Sequence, residues 1–554
     1  MDTLQIYCVN TQTECTVPVG SSLAELARNR EQELGFRPLC AKVNNRMTAL
    51  YARLYEPARI EFTGIQVEGG LRTYVRTLSM VLGKAVQAVL PGAELYLEHS
   101  LSNGYYGFIR NGGEATAEEI ALIKEEMDRI IAADSVFTEH TVPVEQAREL
   151  FTSLGRGDVT DLITTTGKLY FTYHELDGYI DTFYGPLAPS AGYLYLYDLI
   201  PYMGGVLLRV PDIEDPTRLA PMEEQSKMKE VFLRQNKLLD VLHLSYVGSL
   251  NKAVQAGKAA ELIRVSEAVQ EKEIAAIAEQ IALRYKQGVR VVLVSGPSSS
   301  GKTTFTKRLC VQLITNLLTP KSISLDNYFL DREHTPRDEN GEYDFESLYA
   351  LDLEQFNKDL TALLAGEKVP IPGFDFVTGT RSYKGEELQL HDGEILVMEG
   401  IHALNPDLLP SVPSKYTFKV YVSALTALGI DRHNRIPTTD NRLLRRMVRD
   451  FRYRGSSAER TLAYWNGVRR GEEKWVFPYQ ENADAMFNSA MVYELATLRS
   501  FAEPLLREVP QSSPRYARAQ RLLLFLEQIA YIPPQSIPSV SLLREFLGGS
   551  SFHY

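Results

Sequence analysis

A chain of 554 residues is too long for one hydrophobic core and predicts about three or four domains. Hydrophobic residues make up 44% and charged residues 23%, ordinary for a globular protein; a net charge of −11 argues against a surface that coats nucleic acid or hugs a membrane. The four cysteines, Cys8, Cys15, Cys40 and Cys310, form no CxxC pair and fit no zinc spacing, so they read as free thiols. The start, MDTLQIYCVN, lacks a basic stretch followed by an apolar one, and no run approaches the ~18 apolar residues of a spanning helix. The expectation is a cytoplasmic protein without membrane contact.

Leu4–Val9 and Glu14–Val19 read as two strands, followed by a helix over Ser22–Leu34 with Glu25 placed for a capping box. Cys40–Asn44, Met47–Tyr51 and Arg59–Phe62 supply further short strands. Tyr74–Leu90 and Ala117–Ala133 have helical periodicity, and Val159–Leu187, rich in Tyr, Thr and Phe, reads as β. Residues 218–286 are dominated by helix formers, Ala253–Tyr285 above all. From Val289 strands and helices alternate: Val289–Val294, Ser322–Leu325, Ile395–Met398 and Tyr416–Val422 are short apolar runs of the kind buried in a parallel sheet. The last ~55 residues look helical, with proline breaks near Pro533–Pro538.

The most specific motif is Gly296-Pro-Ser298-Ser299-Ser300-Gly301-Lys302-Thr303, which fits G-x-x-x-x-G-K-[ST] between an apolar strand and a helix. Its glycines let backbone N–H groups wrap a phosphate at a positive helix end. Lys302 is expected to reach the β- and γ-phosphates of ATP, Thr303 to ligate Mg²⁺, and Thr304 to continue the loop's donor set. Asp326, in Ser324-Leu-Asp-Asn-Tyr328-Phe329, follows the next strand and is placed to orient and deprotonate an attacking hydroxyl.

The loop, the S-L-D-N-Y-F element, Tyr343-Asp344, Ile371-Pro-Gly-Phe-Asp-Phe376 with Arg381, and Ile395-Leu-Val-Met-Glu399-Gly-Ile-His402 occur in the order seen in uridine kinases. Over residues 288–490 the chain thus resembles the phosphoribulokinase/uridine kinase family. The resemblance implies ATP-dependent phosphorylation of the 5′-hydroxyl of a ribonucleoside. Asp326 then looks like the catalytic base, Asp344 like the aspartate that holds the ribose hydroxyls, and Glu399 like a Mg²⁺ support. Tyr328, Phe374 and Arg381 complete the expected substrate side. Where uridine kinases carry a Tyr and a His near the pyrimidine, Phe374 and Gly379 stand here, which puts the base, and the acceptor with it, in question.

Between Asp440 and Lys474 ten Lys and Arg face five acids. Arg442, Arg445 or Arg446, and Arg449 recur at helical spacing. The stretch resembles the family's D-x-R-L-x-R-R lid, which implies that Arg445 and Arg449 close over the triphosphate. A solvated helix face and a nucleic-acid-binding helix are the alternatives.

Residues 1–64 resemble the TGS domain of threonyl-tRNA synthetases, and residues 70–210 their second additional (editing) domain. In that domain two histidines four apart join a Cys and a His around a metal; here Arg76, Met80, Phe183 and Leu187 stand at those positions, so no active editing site is expected. His99, His140 and His174 show no ligand spacing and read as surface or satisfied histidines. The fold class expected is α/β: a P-loop NTPase parallel-sheet kinase domain preceded by a small β-grasp domain and an α+β domain. The division expected is 1–64 TGS-like, 65–215 editing-domain-like, 216–286 helical connector and 287–554 kinase-like. A nucleoside-like small molecule is the expected substrate, with RNA and a second copy of the chain as further candidate partners.

Overall fold

The computed structural model describes residues 2–338, 341, 343–375, 378–410 and 412–553. Phe376 of the hairpin motif lies outside them. In the second half, apolar runs without polar alternation need cover on both faces. They form one parallel sheet in the order Thr319–Ser324, Glu394–Glu399, Val291–Ser295, Thr417–Ser423 and Ala485–Asn488. Val292 and Val294 enter a buried cluster with Phe305 and Leu309 of the helix that follows them. Val291 and Leu293 point the other way, into a second cluster with Leu396 and Met398. A long hairpin, Val369–Asp375 with Thr380–Leu388, stands outside this sheet.

The first residues form a five-stranded sheet, ordered Thr13–Pro18, Thr3–Cys8, Ala58–Thr63, Cys40–Val43 and Arg46–Ala49. The Ser22 hydroxyl accepts from the Glu25 N–H and the Glu25 carboxylate accepts from the Ser22 N–H, at 3.2 and 3.3 Å. The expected helix Ser22–Leu34 is nevertheless in two pieces, Leu23–Arg28 and Glu31–Leu34, the second closed by Gly35 at φ +70°. Beyond it the helix Glu68–Val89 packs on Ala117–Ala132, beside a four-stranded sheet of Glu94–Leu101, Gly104–Arg110, Gly205–Arg209 and Asp198–Tyr202.

The β reading of Val159–Leu187 is corrected. Gly157–Thr165 is a helix that buries Val159, Leu162 and Ile163, and strands occupy only Tyr170–Leu176 and Tyr179–Asp181. The 159, 162, 163 spacing is helical, and packing of that stripe overrides the β preference of the threonines. The expected run Ala253–Tyr285 is also broken: Val247–Gln255 ends before Gly257 at φ +76°, and Ala259–Tyr285 begins anew. Among the described residues no helix is long and apolar enough to cross a membrane, and all four cysteines are free.

Candidate active site

The strand Val291–Ser295 delivers the chain into residues 296–301, and the helix Lys302–Thr315 leaves it. At Gly296 a Cβ would lie 1.9 Å from the Val422 carbonyl oxygen, so only glycine permits this approach to the neighbouring strand. Gly301 takes φ +87° to start the helix. Ser299 and Ser300 are buried, and their hydroxyls have no hydrogen-bond partner among the described residues. Buried polar groups of this kind fit a phosphate ligand.

Two arginines of the helix Thr438–Arg454 brace this loop. Arg442 donates to the Ser298 carbonyl (3.1 Å) and pairs with Glu472 (2.5 Å), whose carboxylate also accepts from the Ser298 N–H (2.9 Å). Arg445 donates to the Ser300 carbonyl (3.4 Å), to the Ser489 hydroxyl and carbonyl (3.0 Å each) and to Glu494 (2.5 Å). They are 1% and 0% exposed. Both terminal nitrogens of Arg445 thus hold partners within the protein, on the loop and beside it. Arg446 reaches the Ser298 hydroxyl at 2.7 Å, and Arg449 pairs with Asp450 at 3.1 Å.

The charged centre lies where the strands Thr319–Ser324 and Glu394–Glu399 end side by side. Glu399 accepts from Ser324 Oγ at 3.2 Å and from Thr303 Oγ1 at 3.4 Å. Asp326 follows in a short 3-10 turn, its N–H bonded to Ser324 Oγ at 3.3 Å, in the field of Lys302, Arg454 and Arg449. Burial dominates the protonation of all three central groups. It raises Asp326 against the pull of Lys302, raises Glu399 to about 7 with Asp326 adding to the effect, and lowers Lys302 although four carboxylates oppose it. Such a centre gains from charge of both signs, and a phosphate chain with a divalent cation brings both. Glu399, Thr303 and Ser324 are oxygen donors of the hard kind Mg²⁺ takes, which suits the Mg²⁺ assignment of Thr303 and Glu399.

The expected substrate residues are spread more widely. Tyr328 is buried with its hydroxyl donated to Asp359 at 3.1 Å. Arg381 pairs with Asp352 at 2.8 Å. Asp344 is half-buried and accepts from the Glu346 N–H at 3.2 Å. Phe374 tilts against Phe329 with ring centres 5.5 Å apart. Gly379 takes φ +71° against Arg332, where a Cβ would meet the guanidinium at 2.8 Å.

Sequence reasoning missed three carboxylates that converge here. Glu346 is pushed up to about 7 by burial, with Glu472 and Asp326 adding to the effect against the pull of Arg446 and Lys302. Glu472 lies on the helix Ala458–Trp475; burial raises it, and Arg442, Arg469 and the Ser298 N–H together hold it low. Glu545 comes from the end of the chain and bonds Thr304. Only Glu472 had a signal in the sequence, as an acid inside the arginine-rich stretch.

In the front half Met80, Phe183 and Leu187 pack in one apolar cluster, and Arg76 donates to the Pro186 carbonyl at 3.0 Å. His99 and His174 are buried, not superficial.

Residues 291–496 match the family model described as Phosphoribulokinase / Uridine kinase family. A uridine kinase of Staphylococcus haemolyticus is 28% identical over 195 residues, 35% of this chain and 84% of that protein. A threonine–tRNA ligase of Desulforamulus reducens is 28% identical over 187 residues, 34% of this chain and 29% of that protein, in this chain's N-terminal region. A solved structure described as a possible uridine kinase from Bacillus stearothermophilus is 20% identical and covers 39% of this chain and 98% of its own, with a TM-score of 0.28. The family match and the curated relatives support a phosphotransferase domain over this part of the chain.

Proposed function

We propose that the chain transfers the γ-phosphate of ATP to the 5′-hydroxyl of a ribonucleoside or a close relative of one. The observation that carries this reading is the shared charged centre of Lys302, Asp326 and Glu399 at adjacent strand ends beside the phosphate loop. Asp326, raised by burial, is a stronger base than a solvated carboxylate. It takes the proton of the acceptor hydroxyl as that oxygen bonds the γ-phosphorus, and the bond to the β–γ bridging oxygen breaks with its electron pair leaving on ADP. Lys302 and the loop N–H groups hold the phosphates and offset charge in the transition state. Thr303 and Glu399 would hold Mg²⁺, which when bound neutralises phosphate charge.

Phe374 and Gly379 favour a second reading, in which the acceptor is another hydroxyl-bearing metabolite, since neither residue offers a polar side chain to a base. Purified protein with ATP and Mg²⁺ should convert at least one of a panel of nucleosides to its 5′-monophosphate, read by mass spectrometry. Turnover of a non-nucleoside hydroxyl alone would move the assignment to the second reading, and no phosphorylated product from nucleosides or a metabolite extract would end both. We also propose domain limits near residues 64, 215 and 286, because each sheet closes within one of the resulting segments.

A further inference from the structure

The last residues of the chain are built against the phosphate loop. Glu545, on the short helix Arg544–Leu547, places its carboxylate on Thr304: it accepts from the Thr304 N–H at 3.2 Å and from the Thr304 hydroxyl at 2.7 Å. Thr304 is 241 positions earlier in the chain, so the contact is tertiary. The same carboxylate acts on Lys302 and on Glu399. The contact is not a chance approach of a frayed end. Leu542, Leu543, Phe546 and Leu547 are buried in the main apolar cluster, Leu542 lies against the position where Gly301 would carry a Cβ, and the Arg445 guanidinium sits over the Phe546 ring at 5.1 Å. Gly548 lies so close to Arg452 that a Cβ there would come within 2.4 Å of the guanidinium. The tail is thus wedged between the phosphate-loop helix and the arginine-rich helix.

A carboxylate on the first-turn N–H of this helix takes a donor that the loop offers to phosphate oxygens. One N–H satisfies one strong acceptor at a time, and two anions at one helix end repel each other. We propose that the segment Ser541–Gly549 is an internal competitor for the nucleotide site, with Glu545 standing in for a phosphate oxygen at Thr304. Nucleotide binding then requires Glu545 to withdraw, and the tail sets the concentration of nucleotide at which the site fills. The competitor is tethered, so its effective concentration is high although it makes few bonds. A triphosphate brings more charge and more oxygens and displaces it, at a cost seen as a higher apparent dissociation constant. This proposal rests on the reading that residues 296–304 bind the phosphates of a nucleotide.

The test compares the full-length protein with Glu545→Gln and Glu545→Ala, titrating ATP and ADP by calorimetry with and without Mg²⁺. Each variant should bind nucleotide tighter, on the order of tenfold, the scale of one charge-assisted hydrogen bond released from competition. A simple helix cap would give the opposite pattern, a lower melting temperature with affinity unchanged. Equal or weaker affinity in both folded variants overturns the proposal and leaves the nucleotide site standing. Absence of nucleotide binding in wild type and variants alike ends the reading of the loop, and the proposal with it. Hydrogen exchange on the unmutated protein gives an independent outcome. ATP should speed exchange in residues 541–549 while it protects residues 296–304, and unchanged or greater protection of the tail overturns the proposal.

Discussion

Asp326 and Arg442 are both charged residues at one loop, yet their surroundings assign them different work. Asp326 is held in the short turn through its backbone, its N–H on Ser324 Oγ and its carbonyl accepting from the Phe329 N–H, and its carboxylate lies in the field of Lys302, Arg449 and Arg454. Asparagine keeps that shape and removes the base. Asp326→Asn should lower turnover by about 10²- to 10⁴-fold, the scale of general-base catalysis, while ATP affinity stays within about threefold. Turnover above a tenth of wild type would rule out Asp326 as the base. Arg442 instead holds a fully buried carboxylate, Glu472, which in turn holds the Ser298 N–H. Arg442→Met leaves buried Glu472 with only the longer pairing to Arg469 at 3.5 Å among its described ion pairs and should cost about 3–5 kcal/mol in urea unfolding. Adding Glu472→Met removes the buried charge, so the double variant should lose less than the two singles summed. Strict additivity would show that the two residues do not act as a pair.

Among the elements, those with a local cause were the ones open to reading from residues alone. The capping pair Ser22 and Glu25, the strand before the phosphate loop and the helix after it all depend on neighbours within a few positions. The break at Gly257 has a local cause as well, a glycine at φ +76°, whereas the helix at Gly157–Thr165 depends on packing of its apolar stripe into clusters built from other elements. The site divides in the same way. Lys302, Thr303, Asp326 and Glu399 stand in short motifs, whereas Glu346 and Glu545 arrive by tertiary folding and leave no spacing to read, and Glu472 is marked only by its place in the arginine-rich stretch. His99 belongs to the second group: its ring stacks on Phe232 at 3.7 Å, between the strand Glu94–Leu101 and the helix Ser226–Leu242. Burial, with Arg435 adding to it, lowers this imidazole to about 3, so the folded protein keeps it neutral while the unfolded chain binds a proton below about 6.5. Between those values the unfolded state holds more protons, so its contribution is full above about pH 6.5 and is lost as pH falls, by up to about 1.4 kcal/mol per pH unit. His99→Phe should flatten the fall in urea midpoint between pH 6.5 and 5. An unaltered slope would assign that pH dependence to other groups.

Across the whole molecule, the front half grips the chain just before the arginine-rich helix. Arg156 pairs with Asp158 at 3.0 Å and with Asp181 at 2.8 Å, and lies 3.8 Å from Asp431. His433 meets Asp181 at 2.5 Å, the Thr182 hydroxyl donates to Asp431, and the Arg432 N–H donates to Asp158 at 2.8 Å. Farther along, Asp440 is held by Arg521 at 2.6 Å and lies 3.6 Å from Arg72 of the front helix. The same helix carries Arg442 and Arg445 to the phosphate loop, so disturbance of the front half has a continuous path to the loop. The network is buried and has three carboxylates around one guanidinium, so Arg156→Met leaves uncompensated charge between the two halves. Both tryptophans, Trp465 and Trp475, lie in the second half, so their fluorescence reports that half alone while far-ultraviolet circular dichroism reports the whole chain. In the unmutated protein the two signals should change together in urea, the mark of one cooperative unit. In Arg156→Met the circular dichroism should begin to fall at lower urea than the fluorescence, as the front half loosens first. If the two curves still coincide and the midpoint does not move, the network does not join the halves, and the path from front half to phosphate loop must run through Asp440 and its arginines instead.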